Sequence, residues 1–332
     1  MKKHDDDPGL HLMVGFQGLT LDEELKAIVT EFRVGGIVLF RRNIESPRQL
    51  IDLLEAVRGF SVETLGRPLW VAIDQEGGPV QRLVPPFTGL PSASALGAEG
   101  IPAIEKWQTI AARELQETGV HINFAPVLDL VPNGEDHFME ARSLGNDGER
   151  VAELGAAWIR TLQGNGVSAT AKHFPGLGGA RKDPHHYAPV IHWPDRSAME
   201  RDLFPFREAA RAGVHCIMTS HARYPLLDSE YPATLSEIIN RRLLRETMGF
   251  QGILFSDDLD MAAVSGSYSW NEMIRRGLAS TIDFFLVCQH SENIALCHRA
   301  LHEALKPRGP LRELRRASLR RMETLARIHR RP

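Results

Sequence analysis

Eight short apolar runs, separated by stretches of helical periodicity, set the tightest limit on how this chain can fold. They are HLMVGF (11–16), GGIVLF (35–40), LWVAID (69–74), INFAPVLD (122–129), VSATAKHF (167–174), CIMTSH (216–221), GILFSDD (252–258) and FFLVC (284–288). Near-continuous hydrophobicity over so few residues suits strands buried on both faces, as in parallel sheets. Between them, LDEELKAIVTEFRV sets Leu25, Ile28, Val29 and Phe32 on one helical face, and SPRQLIDLLEAVRGF opens on a serine suited to N-capping. DGERVAELGAAWIRTLQGNG ends in glycines suited to capping a helix. Strand and helix alternate throughout, with no linker-like segment. The pattern predicts an α/β fold, a single-domain (β/α)8 TIM-type barrel over residues 1–332. An open doubly wound sheet is the competing architecture. It lacks support, because neither the first strand–helix junction nor GLGGAR carries G-x-G-x-x-G.

The segment LRELRRASLRRMETLARIHRRP, within 308–332, reads as a basic amphipathic helix packed on the barrel. Its arginines leave a nucleic-acid or membrane contact as the other reading. The bulk charge argues against that: 39 basic residues face 42 acidic ones, for a net −3, so neither nucleic acid nor an anionic membrane is expected as a partner. No run approaches the ~18 apolar residues that span a bilayer, and MKKHDDDPGLHLMVGF does not have the pattern of a signal peptide. Cys216, Cys288 and Cys297 are odd in number and match no zinc spacing. They read as reduced thiols, which fits a cytoplasmic setting. A monomer is expected.

Ionisable residues fall at the strand ends. Asp74 ends the third run, Asp129 the fourth, Lys172 and His173 the fifth, His221 the sixth, and Asp257 with Asp258 the seventh. In a barrel, such C-terminal strand ends face the active-site mouth, and unpartnered buried charge is costly. In ILFSDDLDM, one aspartate can stay ionised and attack an electrophilic carbon while the other caps the following helix. In DQEGGPVQRL, Gly77 and Gly78 turn the chain so that Arg82 can return towards Asp74. That pair is either a clamp for sugar hydroxyls or an acyl group, or an ion pair at a loop base.

The stretch TAKHFPGLGGARKDPHHYAPV runs from a strand into a glycine-rich loop. Asp183 and His185 are two residues apart, a spacing that lets a carboxylate orient an imidazole as a proton carrier near neutral pH. A solvated polar loop is the alternative. A metal site of His173, His185 and His186 matches neither H-x-x-x-H nor H-E-x-x-H, so no metal is expected.

Together these motifs resemble those of the single-domain bacterial β-N-acetylglucosaminidases of glycoside hydrolase family 3. DQEGG…QRL, NFAPVLDL, RSLG, KHFPG, D-x-H and GILFSDDLDM occur in that family's order, and GGIVLFRRN and PATLSEIINRRLLRETMGFQG are similar to it as well. The resemblance runs from about residue 10 to about residue 290. It implies Asp257 as nucleophile, His185 as acid/base with Asp183 in support, and Asp74, Arg82, Arg142, Lys172 and His173 as the residues that hold N-acetylglucosamine. It also implies double displacement with retention through a glycosyl-aspartate. The implied substrate is N-acetylglucosamine β-1,4-linked to anhydro-N-acetylmuramic acid, with or without peptide, in cytoplasmic peptidoglycan recycling. A β-glucosidase-like or phosphorolytic member, and a barrel that binds sugar without cleaving it, are the alternatives. Three positions depart from the family pattern: Leu177 replaces a histidine after KHFPG, Pro184 stands inside D-x-H, and Pro79 replaces an arginine after DQEGG. They bear on loop conformation and on the reach of His185.

Overall fold

The computed structural model describes residues 7–132, 137–180, 188–306 and 311–329. In chain order its strands are β1 (Leu12–Val14), β2 (Gly36–Leu39), β3 (Trp70–Ile73), β4 (Gln75–Gly77), β5 (Val80–Gln81), β6 (Ile122–Asn123), β7 (Ser168–Phe174), β8 (Cys216–Thr219), β9 (Arg223–Tyr224), β10 (Asp228–Pro232), β11 (Ile253–Asp258) and β12 (Phe284–Val287). Eight of them close a parallel barrel in the order β1-β12-β11-β8-β7-β6-β3-β2. The other four form two antiparallel hairpins, β4–β5 and β9–β10, each following the C-terminal end of a barrel strand. The α/β TIM-type barrel expected from the sequence is therefore the architecture found, and the doubly wound sheet is not.

The helices are α1 (Glu23–Phe32), α2 (Pro47–Leu65), α3 (Ala93–Glu99), α4 (Ile101–Thr118), α5 (Gly148–Gly164), α6 (Arg196–Arg211), α7 (Ala262–Ser265), α8 (Trp270–Ala279), α9 (Ser291–Ala304) and α10 (Arg312–Ile328), with a π-helix over Ile238–Thr247. Local chemistry fixes several ends. Ser46 Oγ accepts from Gln49 N at 3.2 Å, with Pro47 at the first helical position of α2. The cap of α5 differs from expectation: Asn165 closes it, and Gly166 follows with φ +83°.

The fourth apolar run also differs. Only Ile122–Asn123 belongs to the ladder, because Pro126 has no N–H to donate. Residues 125–128 still lie along β7, where Thr170 N donates to Ala125 O, Lys172 N to Pro126 O, and Leu128 N to Lys172 O. Asp129 thus leaves from a loop held against β7 rather than from a strand.

Two apolar layers hold the molecule. One lies between sheet and helices and includes Leu25, Leu53, Leu115, Leu154, Trp158 and Leu301. The other fills the barrel with Met13, Val38, Phe124, Met218, Ile253, Phe255 and Phe284. Phe124 meets Phe255 edge-on at 5.2 Å, and Phe255 stacks on Phe284 at 5.4 Å. Each such side chain contributes about 1.5–3 kcal/mol by leaving water. Met322 and Leu325 of α10 join this inner layer, so that helix packs across the N-terminal end of the barrel. Among the described residues, no helix is long and apolar enough to cross a membrane.

Candidate active site

The strand following Leu69 emerges at Asp74 and turns at once through the β4–β5 hairpin. Gly77 and Gly78 have φ +96° and +55°, and a Cβ on Gly77 would come 2.3 Å from Pro91 O. Only glycine fits there. Gln75 anchors the hairpin. Its Oε1 accepts from Arg82 N at 2.8 Å and Leu83 N at 3.0 Å, and its backbone exchanges two hydrogen bonds with the Asn123 side chain.

That turn gathers a buried charge cluster. Lys172 Nζ lies 2.8 Å from Asp74 Oδ1 and 2.6 Å from Glu76 Oε1. Arg142 grips Glu76 with two hydrogen bonds, both 2.8 Å. Arg82 Nη2 reaches Asp74 Oδ2 at 3.3 Å. Burial alone would raise both acids, but Lys172 with Arg82 holds Asp74 well below the usual carboxylate range, and Lys172 with Arg142 does the same for Glu76. Burial works against charge on Lys172 too, and Asp74 and Glu76 overcome it, so its pKa is raised. Asp74, Glu76, Lys172 and Arg142 are therefore held in their charged forms.

Asp129 organises the neighbouring wall. Its carboxylate accepts from His173 Nδ1 at 2.7 Å, from His173 N at 3.2 Å and from Leu177 N at 2.7 Å. With His173 Nδ1 as donor, Nε2 takes no hydrogen bond among the described residues. The pairing of β7 with β8 shifts register between Ala171 and Phe174, and the Lys172–His173 peptide is cis. Both side chains line the same cavity.

On the next wall, β11 shifts against β12: Phe255 pairs with Phe284, but Asp258 pairs with Leu286. Consecutive side chains of a regular strand face opposite ways, yet Asp257 and Asp258 both line the cavity. Asp257 Oδ1 accepts from Asp258 N at 2.8 Å. The cap expected of one of the pair is not found: Met261 stands at the N-cap of α7 with no side-chain hydrogen bond, and Asp258 Oδ1 instead accepts from Asp260 N and Cys288 N, each at 3.1 Å.

One cavity therefore brings together Asp74, Arg82, Arg142, Lys172, His173 and Asp257. Asp183 and His185 lie outside the described residues, as do Pro184 and His186. Two of the sequence departures are described: Pro79 is exposed, and Leu177 is buried against the cavity. His221 does not line the cavity. It is buried between Thr234 Oγ1 at 2.8 Å and the carbonyl of Asp258 at 3.0 Å, and so braces the end of β11. Sequence reasoning missed Glu76. Its position two residues past Asp74, ahead of two glycines, was the available signal. Among the described residues no group of three or more His, Cys, Asp or Glu side chains could hold a metal.

Residues 10–323 match the model of the glycosyl hydrolase family 3 N-terminal domain. The chain belongs to glycosyl hydrolase family 3. Within family 3, a beta-hexosaminidase of Thioalkalivibrio sulfidiphilus is 36% identical over 306 residues, covering 89% of this chain and 85% of that one. The solved family 3 β-N-acetylglucosaminidase of Paenibacillus sp. str. FPU-7 superposes with a TM-score of 0.94 at 34% identity. That alignment covers 99% of this chain, which spans 63% of the length of that one. A β-N-acetylhexosaminidase from Beutenbergia cavernae superposes with a TM-score of 0.90 at 26% identity, covering 98% and 99% of the two chains. This chain is a glycoside hydrolase of that family.

Proposed function

We propose that the protein is a retaining exo-β-N-acetylglucosaminidase, with residues 1–332 as one catalytic barrel domain. One observation carries the reading: Asp257 shares a cavity with His173 and with the Asp74, Arg82, Arg142 and Lys172 cluster. A rigid set of opposite charges suits a ring of hydroxyls, because each hydroxyl both donates and accepts. A carboxylate on the adjacent wall is set to reach the anomeric carbon. The beta-hexosaminidase relatives support the same activity.

In this scheme Asp257 attacks the anomeric carbon while His185, oriented by Asp183, protonates the departing oxygen. A glycosyl-aspartate forms through an oxocarbenium-like transition state. His185 then takes a proton from the water that releases the sugar with retained configuration. Both steps are carboxylate and proton chemistry, so no cofactor is invoked. The proposed substrate is terminal N-acetylglucosamine β-1,4-linked to anhydro-N-acetylmuramic acid, with or without peptide. The proposed setting is cytoplasmic peptidoglycan recycling by a monomer.

Trapping with a 5-fluoro N-acetylglucosamine donor, then peptide mass mapping, tests the chemistry. The label is expected on the peptide holding Asp257, and a label on any other carboxylate refutes the assignment. Release from an aryl N-acetylglucosaminide against an aryl glucoside, with and without phosphate, separates hydrolysis of the amino sugar from glucosidase or phosphorolytic action. Replacing His185 with Ala should slow natural substrates by ~10²–10⁴-fold. The loss should be smaller for activated aryl glycosides, whose leaving groups need little proton help.

A further inference from the structure

Asp258 stands on the cavity wall beside Asp257 and has no part in the proposed displacement. Its two carboxyl oxygens are treated differently. Oδ1 is held by the backbone amides of Asp260 and Cys288. Oδ2 takes no hydrogen bond among the described residues and is not sealed from the cavity. The backbone here is fixed as well, because the Asp258 carbonyl accepts from Met261 N at 3.1 Å and from His221 Nε2 at 3.0 Å. A carboxyl held this firmly has one oxygen left for a ligand.

The same cavity is also lined by apolar side chains: Met218 from β8, Met261 after β11, Leu286 of β12 and Cys288 just past it. The charged groups near it are few. Arg42, from the loop after β2, has its Nε on Phe16 O and its Nη2 on Cys288 O. The Asp260 carboxylate is taken up by Gln289 N, His290 N and Asn293 Nδ2. Asp257 lies alongside. Burial first, and then the charges of Asp260 and Asp257, push the Asp258 carboxyl up to about 8. The shift favours the protonated carboxyl, which can donate a hydrogen bond.

With Asp257 aimed at the anomeric carbon, the adjacent ring carbon carries its substituent towards the flanks of that residue. An acetamido group there offers a strong acceptor carbonyl and a methyl, whereas a hydroxyl offers neither. We propose that Asp258 reads the sugar's 2-substituent, donating a hydrogen bond through Oδ2 to the acetamido carbonyl while Met218, Met261 and Leu286 receive the methyl. The assignment rests on the reading of Asp257 as nucleophile, and it makes Asp258 a specificity-determining residue. A site that donates to a substrate acceptor discriminates against analogues without one.

The test compares kcat/KM for aryl β-N-acetylglucosaminide and aryl β-glucoside in the full chain. Asp258→Ala is expected to lower the N-acetylglucosaminide-to-glucoside ratio by about 10-fold, chiefly through the KM of the amino sugar. Asp258→Asn keeps an N–H donor and should hold that ratio within roughly threefold of the parent. In the unsubstituted enzyme the ratio should fall as pH rises through about 8, and in Asp258→Asn it should not. An Ala variant that slows both substrates equally overturns the proposal, as does a parent ratio independent of pH. The parent measurement stands even if both variants fail to fold. Failure of the fluorosugar to label Asp257 would sink the underlying mechanism. Labelling together with an unmoved ratio would sink the role of Asp258 alone.

Discussion

The two ends of this barrel carry buried charge clusters of similar make-up and opposite consequence. At the mouth, Asp74 and Glu76 face Lys172, Arg82 and Arg142. At the floor, Asp283 faces Arg245 at 2.9 Å and Arg321 of α10 at 2.7 Å, and also accepts from Leu254 N at 2.8 Å. Both sets lie near the strand ends, and in both the cations hold the acids down against the opposing effect of burial. Asp283 is 0% exposed and closed over by a helix, while 19% of the Asp74 side chain remains open beside a cavity. Charge composition therefore does not separate a site from a scaffold. The space left next to the charges does.

The largest expected effect is at the mouth. Asp257→Ala should lower kcat by on the order of 10⁴-fold or more, the scale seen when a covalent nucleophile is removed, with little change in thermal midpoint. Asp283→Ala should do the reverse. It strands two buried guanidinium groups and should cost about 3–5 kcal/mol in denaturant titrations, with KM unchanged for the folded fraction. If Asp283→Ala instead raised KM, the division between the ends would fail. Glu76→Gln comes next: the bidentate hold on Arg142 is lost while Asp74 stays, so KM should rise about tenfold, with a stability loss of about 1–3 kcal/mol.

A gentler effect separates the ends by pH. Burial lowers His121 and His215 to about 4, from an ordinary 6.5, at the floor where His215 and His329 share Ser168 Oγ. The unfolded chain binds these protons below pH 6.5 and the folded chain does not until about 4. Their contribution is therefore whole above 6.5 and is lost as pH falls towards 4. Melting between those limits should show the decline, and His215→Gln should flatten it. The smallest effect belongs to the exposed Arg48–Asp52 pair, whose removal by Arg48→Ala should stay within about 0.5 kcal/mol.

The mouth was more legible in the sequence than the floor, for a physical reason. Asp74, Lys172, His173 and Asp257 interrupt apolar runs, and an ionisable residue that ends a strand stands out. Glu76 sits past the strand, in a turn whose glycines suggest only a bend, and its partner Arg142 is 66 residues away. Only the closed barrel brings the two together. Asp283 opens its strand instead of closing it, and its partner Arg321 looks like any arginine on a basic helix. His221 is a different case. Its position is that of a mouth residue, but hydrogen bonds to Thr234 and Asp258 turn it into a brace.

The Arg321–Asp283 contact spans 38 residues of chain. During translation Arg245 emerges ahead of Asp283, but Arg321 follows it by roughly 2–8 s at ~5–20 residues per second. Through that interval the nascent barrel holds an acid with only one of its two guanidinium partners and an uncovered apolar base, the kind of surface that chaperones recognise. A stop codon falling before Arg321 would make that transient state permanent.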